Sequence, residues 1–236
     1  MISKQFFNIN EQYRSRLEAL NLTSFEQLMN STAGDILESE ASRESRRIEH
    51  NGEVAYLKKQ FFVAKKPCIE TNLLLHKAHT PAVNEHIYIR QLKQQEFAVM
   101  NVMAVGEQRR CGFPSKGFIL VDEVKGQQLD RLLNDIDDEK NTHSLLVAYG
   151  ELIARLHQYG FYAPLRIKDI IVTDDKHQPL VMIDREIRNP YPRFRSKRRA
   201  ARSLRDAFKR TRREFKKFND EMELIIVQAY DNYQPS

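Results

Sequence analysis

The chain has 236 residues, 41% of them hydrophobic and 30% charged, with a net charge of +6 and two cysteines, Cys68 and Cys111. The apolar share can bury a core and no apolar run reaches the roughly 20 residues of a membrane span, which excludes a wholly disordered or membrane-spanning chain. Two cysteines give neither a disulfide framework nor a metal pattern, and the polar start lacks a signal-peptide core, so we expect a cytoplasmic protein.

The first 30 residues predict two short helices that pack as an N-terminal extension. Ser24 and Gln27 have the spacing of a capping box at the start of the second helix.

The stretch RIEHNGEVAYLKK at 47–59 predicts a β-hairpin. Asn51 and Gly52 lie between two alternating runs, and both central positions of such a turn need positive φ. The sequence leaves the register open: Ile48 pairs either on the Val54/Tyr56 side or on the Ala55/Leu57 side.

The middle of the chain alternates between predicted helices and predicted strands. Helical spacing of apolar residues and a glycine stop at Gly160 indicate a long helix, and apolar runs indicate buried strands. In chain order we expect a helix from about Pro81 to Gln95, strands at 98–105 and 117–124, a polar helix at 127–134, a helix at 143–160 with Leu146, Tyr149, Ile153 and Leu156 on its apolar face, and a hairpin of 170–172 with 180–183.

The segment from Arg185 to Lys217 holds 15 Lys and Arg against three acids, a local charge of +12, so the rest of the chain carries −6. Such polarity points to an anionic partner: nucleic acid, phospholipid head groups or a phosphorylated glycan. Phe208 and Phe215 interrupt the segment and Phe218 follows it directly, so one face is expected to pack while the arginines stay available.

The order of the elements predicts an α+β fold with a small β-rich lobe and a helical lobe. The same order of parts occurs in the protein-kinase fold: a strand Lys, a helix Glu, a linker, a catalytic loop, and a metal-binding Asp after a hairpin. We expect one domain over 1–236, divided into an N-terminal extension with a degenerate phosphate loop to about 45, an N-lobe at 46–123 and a C-lobe at 124–236.

Four stretches resemble the Kdo/WaaP lipopolysaccharide kinase family over roughly residues 10–220. The resemblance implies a compact kinase fold, ATP and Mg²⁺ as cofactors, and phosphorylation of an inner-core sugar hydroxyl of lipopolysaccharide at the inner face of the inner membrane. The stretches are AYLKKQ (55–60), PAVNEHIYIRQL (81–92), LHQYGFY (156–162) and MIDREIRNPYPRFRSKRRAARSLRDAFKR (182–210).

The resemblance implies nucleotide-binding roles for a lysine, a glutamate and a linker. Lys58 matches the strand Lys, with Lys59 as the alternative, because strand alternation turns one of the two into the cleft and the other into solvent. Glu85 matches the helix Glu. The linker from Asp122 to Val124 matches the hinge whose backbone would meet a purine.

In the metal-binding and catalytic positions the match is incomplete. Asp184 matches the metal-binding Asp, with Glu186 in place of the usual glycine. Aligning LRIKDIIV without an insertion puts Asp169 at the second metal position and Pro164 at the catalytic Asp, with Tyr162 at the family's His. The resemblance therefore implies a missing catalytic base.

Anion-binding positions are predicted in two segments, the phosphate-covering loop and the basic segment. The phosphate-covering loop, SEASRESRR at 39–47, contains no glycine, so its backbone cannot cradle phosphates as a glycine-rich turn does. Arg43, Arg46 and Arg47 are the predicted substitutes. In the basic segment the predicted anion ligands are Arg193, Arg195, Arg198, Arg199 and Arg202.

Each of these residues also has a structural interpretation. The two lysines fit a solvated strand edge, Glu85 fits a surface carboxylate, and Asp169 fits a turn. Asp184 follows a buried strand, so it needs a partner, since burying an unpaired charge is costly. The candidate partners are Arg185, Arg188 and Lys58. His157 and His177 are expected at the surface or behind the site.

Three hypotheses of function follow. The first is an ATP-dependent kinase of the lipopolysaccharide core. The second is a catalytically impaired pseudokinase that binds a nucleotide or an anionic glycan. The third is a nucleic-acid binder that uses the basic helix, although charge alone is unspecific and no nucleic-acid module is visible.

Overall fold

The computed structural model describes residues 3–63, 78–135, 138–175, 178–184, 187 and 189–234, which form two compact units of an α+β fold. The first unit takes in the described residues of 1–90 and 100–123 with 187 and 189–190. The second takes in those of 91–99, 124–184 and 191–234. Five residues of the sequence analysis lie outside the described residues: Cys68, His177, Arg185, Glu186 and Arg188.

A six-stranded antiparallel sheet dominates the first unit. Its strands are β1 (Ser3–Ile9), β2 (Asp35–Glu40), β3 (Arg43–His50), β4 (Glu53–Gln60), β5 (Val102–Arg110) and β6 (Phe113–Asp122). They are hydrogen-bonded in the order β1-β5-β6-β4-β3-β2. The strands predicted at 98–105 and 117–124 are thus wrong in their bounds, because the pairing of β5 with β6 continues through polar residues to a turn at Cys111 and Gly112.

The hairpin of β3 and β4 confirms the prediction from its turn residues. Asn51 and Gly52 have φ of 52° and 77°, the left-handed conformation that the two-residue turn requires. Ile48 is paired with Ala55, which settles the register on the Ala55/Leu57 side.

Two short helices, α1 (Arg14–Ala19) and α2 (Phe25–Asn30), cover one face of the sheet. The Ser24 hydroxyl accepts the Gln27 amide, as predicted for the start of α2. Leu17 and Leu28 pack with Leu57 and other apolar residues of the sheet in one buried cluster. The N-terminal segment is therefore part of the core of this unit, and its first strand, β1, was not predicted.

A 14-residue helix, α3 (Pro81–Gln94), comes between β4 and β5 in the chain and matches its prediction to one residue.

The second unit holds a three-stranded antiparallel sheet in the order β7-β8-β9 and four helices among its described residues. Its elements are β7 (Gln127–Gln128), α4 (Leu129–Asp135), α5 (Glu139–Gln158), β8 (Ile170–Val172), β9 (Leu180–Met182), α6 (Lys197–Glu214) and α7 (Asp220–Asn232).

Helix α5 forms the centre of the second unit. The four apolar residues predicted for its inner face are all buried. A Cβ at Gly150 would lie 2.5 Å from the carbonyl oxygen of Ile226, so the glycine lets α7 approach α5 closely. None of the helices in the described parts of the chain is long and apolar enough to cross a bilayer.

His157, near the end of α5, lies buried among three helices of this unit. Its Nδ1 is 3.0 Å from the hydroxyl of Tyr230, and its Nε2 is 3.0 Å from the hydroxyl of Ser203. Burial lowers the pKa of His157 from 6.5 to about 4. The imidazole is therefore neutral in the folded protein at neutral pH.

We expect acid to destabilise the protein through His157. Between the unfolded pKa of 6.5 and the folded pKa of about 4, the unfolded state binds the proton first. The stabilisation is complete above pH 6.5 and is lost as the pH falls to about 4, by about 3 kcal/mol. Urea unfolding from pH 7.5 to 4 measures this, and His157→Gln should flatten that part of the profile. An unchanged slope in the variant would contradict the assignment, and His143→Gln, on the exposed part of α5, is the control.

Candidate functional site

The first group of predicted site residues lies in the first unit, on β4 and α3. Lys58 and Glu85 form an ion pair, with 3.0 Å between Nζ and Oε1. Glu85 is buried, with 7% of its side chain exposed, whereas 28% of the Lys58 side chain is exposed. The pair holds an ammonium group in a fixed place while leaving part of it accessible, which is what binding a phosphate requires.

Lys59, the alternative, is on the opposite face of the sheet, but it is not in solvent as predicted. Its Nζ is paired with Glu44 and donates to the carbonyl of Ser31, and only 5% of the residue is exposed. The face is buried because the segment of α1 and α2 covers it. Hydrogen bonds from Arg46 and Lys59 hold the pKa of Glu44 at about 2. Lys59 therefore has a structural role, and Lys58 is the accessible lysine.

The segment predicted to be the hinge is held by hydrogen bonds of its own. The Asp122 carboxylate accepts from Arg16 at 2.7 Å and from Tyr13 at 3.1 Å. The amides of Asp122 and Glu123 donate to the carbonyls of Asn101 and Val54. A purine would therefore have to use other backbone groups than these two amides. Val124, the third residue of the prediction, is half-buried and begins the second unit.

The predicted phosphate loop is an extended hairpin of β2 and β3 with a turn at 41–42. Arg46 is buried and binds Glu44, so its prediction as a phosphate contact is wrong: α2 and the chain after it cover this side of the hairpin. Arg43 and Arg47 are more exposed. Arg43 forms an ion pair with Glu38 of β2, and Arg47 forms one with Glu49 of β3. They stay predicted contacts.

The loop that contains Pro164, the residue predicted at the position of the catalytic acid, belongs to the second unit and is well anchored. Gly160 has φ of 83°, and a Cβ there would lie 2.1 Å from the carbonyl oxygen of Arg193, so only glycine fits this stop. The Tyr149 hydroxyl donates to the carbonyl of Leu165 at 2.6 Å. The Tyr162 hydroxyl accepts the Ser196 amide at 2.8 Å. The backbone around Pro164 is thus fixed without any acid at that position.

Arg166 connects the two carboxylates that were predicted to bind metal. Its Nε and Nη2 donate to the two oxygens of Asp169, each at 2.7 Å. The same Nη2 lies 3.9 Å from Oδ2 of Asp184. The structure therefore brings Asp169 and Asp184 together, and the group between them is a guanidinium that the sequence analysis did not name.

Asp184 has the left-handed backbone conformation. Its φ is 50°, a region that aspartate enters more readily than most residues other than glycine. About half of its side chain, 52%, is exposed. Ile183 donates its amide to the carbonyl of Asp169 at 2.8 Å, which ties the end of β9 to the loop.

A third carboxylate, Glu214 at the end of α6, completes the cluster. It is 3.6 Å from Nη1 of Arg166 and 3.0 Å from Nζ of Lys168. Burial alone would raise the pKa of Glu214, but the hydrogen bond from Lys168 and the charge of Arg166 outweigh burial and lower it. Burial alone would likewise lower the pKa of Arg166, and the bond to Asp169 raises it. Both side chains are charged.

These residues do not fit the predicted two-ligand magnesium site. Mg²⁺ needs carboxylate oxygens at about 2.0–2.1 Å in a near-octahedral shell, and both oxygens of Asp169 already accept hydrogen bonds from Arg166. Among the residues that the structure describes, no group of three His, Cys, Asp or Glu is arranged to hold a metal ion. Of the three carboxylates in the cluster, Asp184 is the most exposed.

The arginines predicted to bind anions are exposed, and in the described part of the chain none of them is ion-paired with a carboxylate. Helix α6 buries Ser203, Ala207, Phe208 and Thr211 on one face. Phe215 and Phe218 are buried as well, which confirms that the segment packs through its apolar residues. The five arginines are Arg193, Arg195, Arg198, Arg199 and Arg202.

Comparison with known proteins decides the family. The model of the lipopolysaccharide kinase (Kdo/WaaP) family matches residues 27–222. The chain belongs to this family. A search of curated proteins gives no match. Members of the family generally use ATP and a metal ion.

The family and the match to WaaP show that the fold of this lipopolysaccharide kinase family member is kinase-like. WaaP in complex with acyl carrier protein matches with a TM-score of 0.68 at 17% identity, over 98% of this chain and 90% of that chain. WbdD, described as a bifunctional kinase-methyltransferase, matches with a TM-score of 0.44 at 14% identity, over 83% of this chain and 44% of that chain. The kinase domain of Mycobacterium tuberculosis PknI matches with a TM-score of 0.31 at 16% identity, over 63% of this chain and 56% of that chain.

Proposed function

We propose that this member of the lipopolysaccharide kinase family binds a nucleotide but transfers phosphate inefficiently. Two features support the proposal: the anchored loop, in which the family resemblance puts Pro164 at the position of the catalytic acid, and the binding of Asp169 by Arg166. In kinases a carboxylate at that position orients the acceptor hydroxyl. A proline has no group that can accept a proton.

Nucleotide binding is supported by the pair of Lys58 and Glu85. A buried glutamate beside a partly exposed lysine is the arrangement that kinases use for the nucleotide phosphates. The glutamate fixes the ammonium group, so that little conformational entropy is lost when a phosphate binds. We propose that Lys58 rather than Lys59 makes this contact, with the hinge and Arg43 as further parts of the site.

The neighbouring acids do not replace the missing base. Asp169 and Glu214 are both ion-paired with Arg166, and Glu214 also with Lys168. A general base works best when its pKa is near the working pH, whereas the pKa of Glu214 is lowered. Proton removal from an acceptor is therefore left without a suitable group in this cluster.

Nucleotide binding should stabilise the natural protein and depend on Lys58. At an ATP concentration of 100 times Kd, the stabilisation should be about 2.7 kcal/mol. Lys58→Ala removes a charge-assisted contact, so affinity should fall roughly 10- to 100-fold. Thermal unfolding with increasing ATP, with and without Mg²⁺, measures both. Lys4→Ala, an exposed lysine on the same sheet, is the matched control, and equal ATP affinity in Lys58→Ala and the natural protein would refute the role.

The exposed basic helix supports a second function, the binding of a phosphate-bearing surface. Phe194 is 95% exposed and lies between Arg193 and Arg195, immediately before α6. An exposed aromatic residue beside arginines is typical of peripheral contact with anionic lipid. We propose anionic lipid or the phosphate-rich lipopolysaccharide core as the partner. Acyl carrier protein, which WaaP binds in its solved structure, and nucleic acid are the alternatives that the same experiments can detect.

A further inference from the structure

The guanidinium of Arg166 occupies the space between two carboxylates of the second unit. One nitrogen, Nη2, is 2.7 Å from Asp169 and 3.9 Å from Asp184. A cation that bridged the two carboxylates would have to lie in this region. The guanidinium of Arg166 thus lies where such a bridging cation would bind.

Several features hold Arg166 in place. Its two parallel hydrogen bonds to Asp169 are the strong, bidentate kind, and only 5% of the Asp169 side chain is exposed. The Asp169 amide donates to the carbonyl of Arg166 at 3.0 Å, which closes a helical turn around the pair. Glu214 lies on the Nη1 side. A metal ion that bound Asp169 would have to compete with the guanidinium for the carboxylate oxygens and would lie close to its positive charge.

We propose that Arg166 takes the role of a second metal ion, so that Asp169 anchors a guanidinium instead of binding a divalent cation. The inference rests on the proposed nucleotide binding and deepens it. An arginine has five N–H donors in a rigid fork, and the pairing with Asp169 uses two of them. The Nη1 group, 3.6 Å from Glu214, is too far from that carboxylate for a hydrogen bond and is suited to a phosphate oxygen.

With Arg166 in this role, binding of the nucleotide should depend less on divalent metal. In a site with two metal ligands, removal of the metal leaves carboxylates that repel the phosphates. Here the charge of Asp169 is balanced by Arg166 in the absence of metal. Asp184 remains as a ligand for a single ion.

Counting bound Mn²⁺ on the full chain tests the inference. With a non-hydrolysable ATP analogue, electron paramagnetic resonance should show at most one Mn²⁺ per natural protein, and Arg166→Gln should show two, because Asp169 becomes available. Arg166→Lys keeps the charge without the bidentate fork and should bind fewer Mn²⁺ ions than Arg166→Gln does, and circular dichroism of each variant controls for folding. Arg213→Gln removes another neighbour of Glu214 and should behave as the natural protein. Two Mn²⁺ on the natural protein would overturn the inference.

A second measurement separates this inference from the proposed function. Addition of EDTA should weaken ATP binding by the natural protein less than about threefold. The substitution Arg166→Gln itself should weaken ATP binding about tenfold or more, because the charge-assisted contact is lost. Absence of ATP binding by the natural protein would refute the proposed function. In that case Mn²⁺ titration without nucleotide still decides about Arg166: a gain of affinity in Arg166→Gln supports its position, and an unchanged affinity overturns it.

Discussion

Transfer of phosphate from ATP to a lipopolysaccharide-core acceptor is expected to be slow or undetectable in the natural protein. Positioning and neutralisation of charge carry most of phosphoryl transfer, so loss of the loop acid does not abolish it by necessity. A missing general base typically costs 10²–10⁴-fold in rate, about 3–5 kcal/mol of barrier. Pro164→Asp should recover part of this factor. The anchored backbone on both sides of Pro164 makes the substitution local.

The measurement is an assay of purified protein with ATP, Mg²⁺ and core oligosaccharide. Pro164→Asp should exceed the natural protein by about tenfold or more. Asn141→Asp, at an exposed position of the same unit, adds the same charge elsewhere and should change nothing. Robust transfer by the natural protein that disappears in Asp184→Asn would show a working kinase and contradict the proposal.

Local chemistry accounts for most of the fold that the sequence predicts. The turn at Asn51 and Gly52, the cap at Ser24 and the helix stop at Gly160 were all identified from residues next to one another. Each depends on the φ preference or hydrogen bonding of one or two residues, which the sequence shows directly. Helix α5 was equally clear, since its apolar residues repeat at the helical period.

Long-range pairing explains what the sequence did not show in the first unit. Strand β1 pairs with β5, some hundred residues away. Its apolar residues Phe6, Phe7 and Ile9 do not alternate strictly with polar ones, so its own pattern did not indicate a strand. Alternation correctly placed Lys58 and Lys59 on opposite faces of β4. It could not show that the second face is covered by the N-terminal helices, so Lys59 was expected in solvent.

In the second unit, the sequence analysis named Asp169 and Asp184 but missed Arg166, the side chain that lies between them. Arg166 and Asp169 are three residues apart, a spacing that allows contact within one helical turn, so LRIKD carried a usable signal. Glu214 gave no such signal, because it reaches the loop only through the packing of α6. The roles of these residues in binding remain predictions.

The basic helix is expected to bind vesicles that contain anionic lipid and to lose about 10³-fold in affinity when one stripe of charge is removed. The buried face of α6 leaves the opposite side to four exposed cations at helical spacing. Each Lys or Arg near an anionic surface contributes about 1 kcal/mol, so four give about 4 kcal/mol. The stripe variant changes four residues to Gln: Arg198, Arg202, Arg205 and Lys209.

A matched variant distinguishes the stripe from net charge. Four exposed cations elsewhere in the chain can be changed to Gln with the same loss of charge: Lys4, Arg110, Arg131 and Lys140. This variant should float with anionic vesicles as well as the natural protein does. Phe194→Ser should weaken flotation about tenfold, since burial of a phenylalanine contributes about 1.5–3 kcal/mol.

Salt and lipid composition decide between lipid and nucleic acid as the partner of α6. Binding to a membrane surface should rise with the fraction of anionic lipid and be absent with neutral vesicles. Binding to duplex nucleic acid should instead show a slope of about −0.9 in log affinity against log salt for each phosphate contacted. Equal recovery with neutral and anionic vesicles, together with tight RNA binding that the stripe variant loses, would contradict the lipid proposal and favour a nucleic-acid binder. Loss of flotation in the stripe variant alone, with Lys58-dependent ATP binding unchanged, would place the surface-binding function on α6 and the nucleotide function elsewhere in the chain.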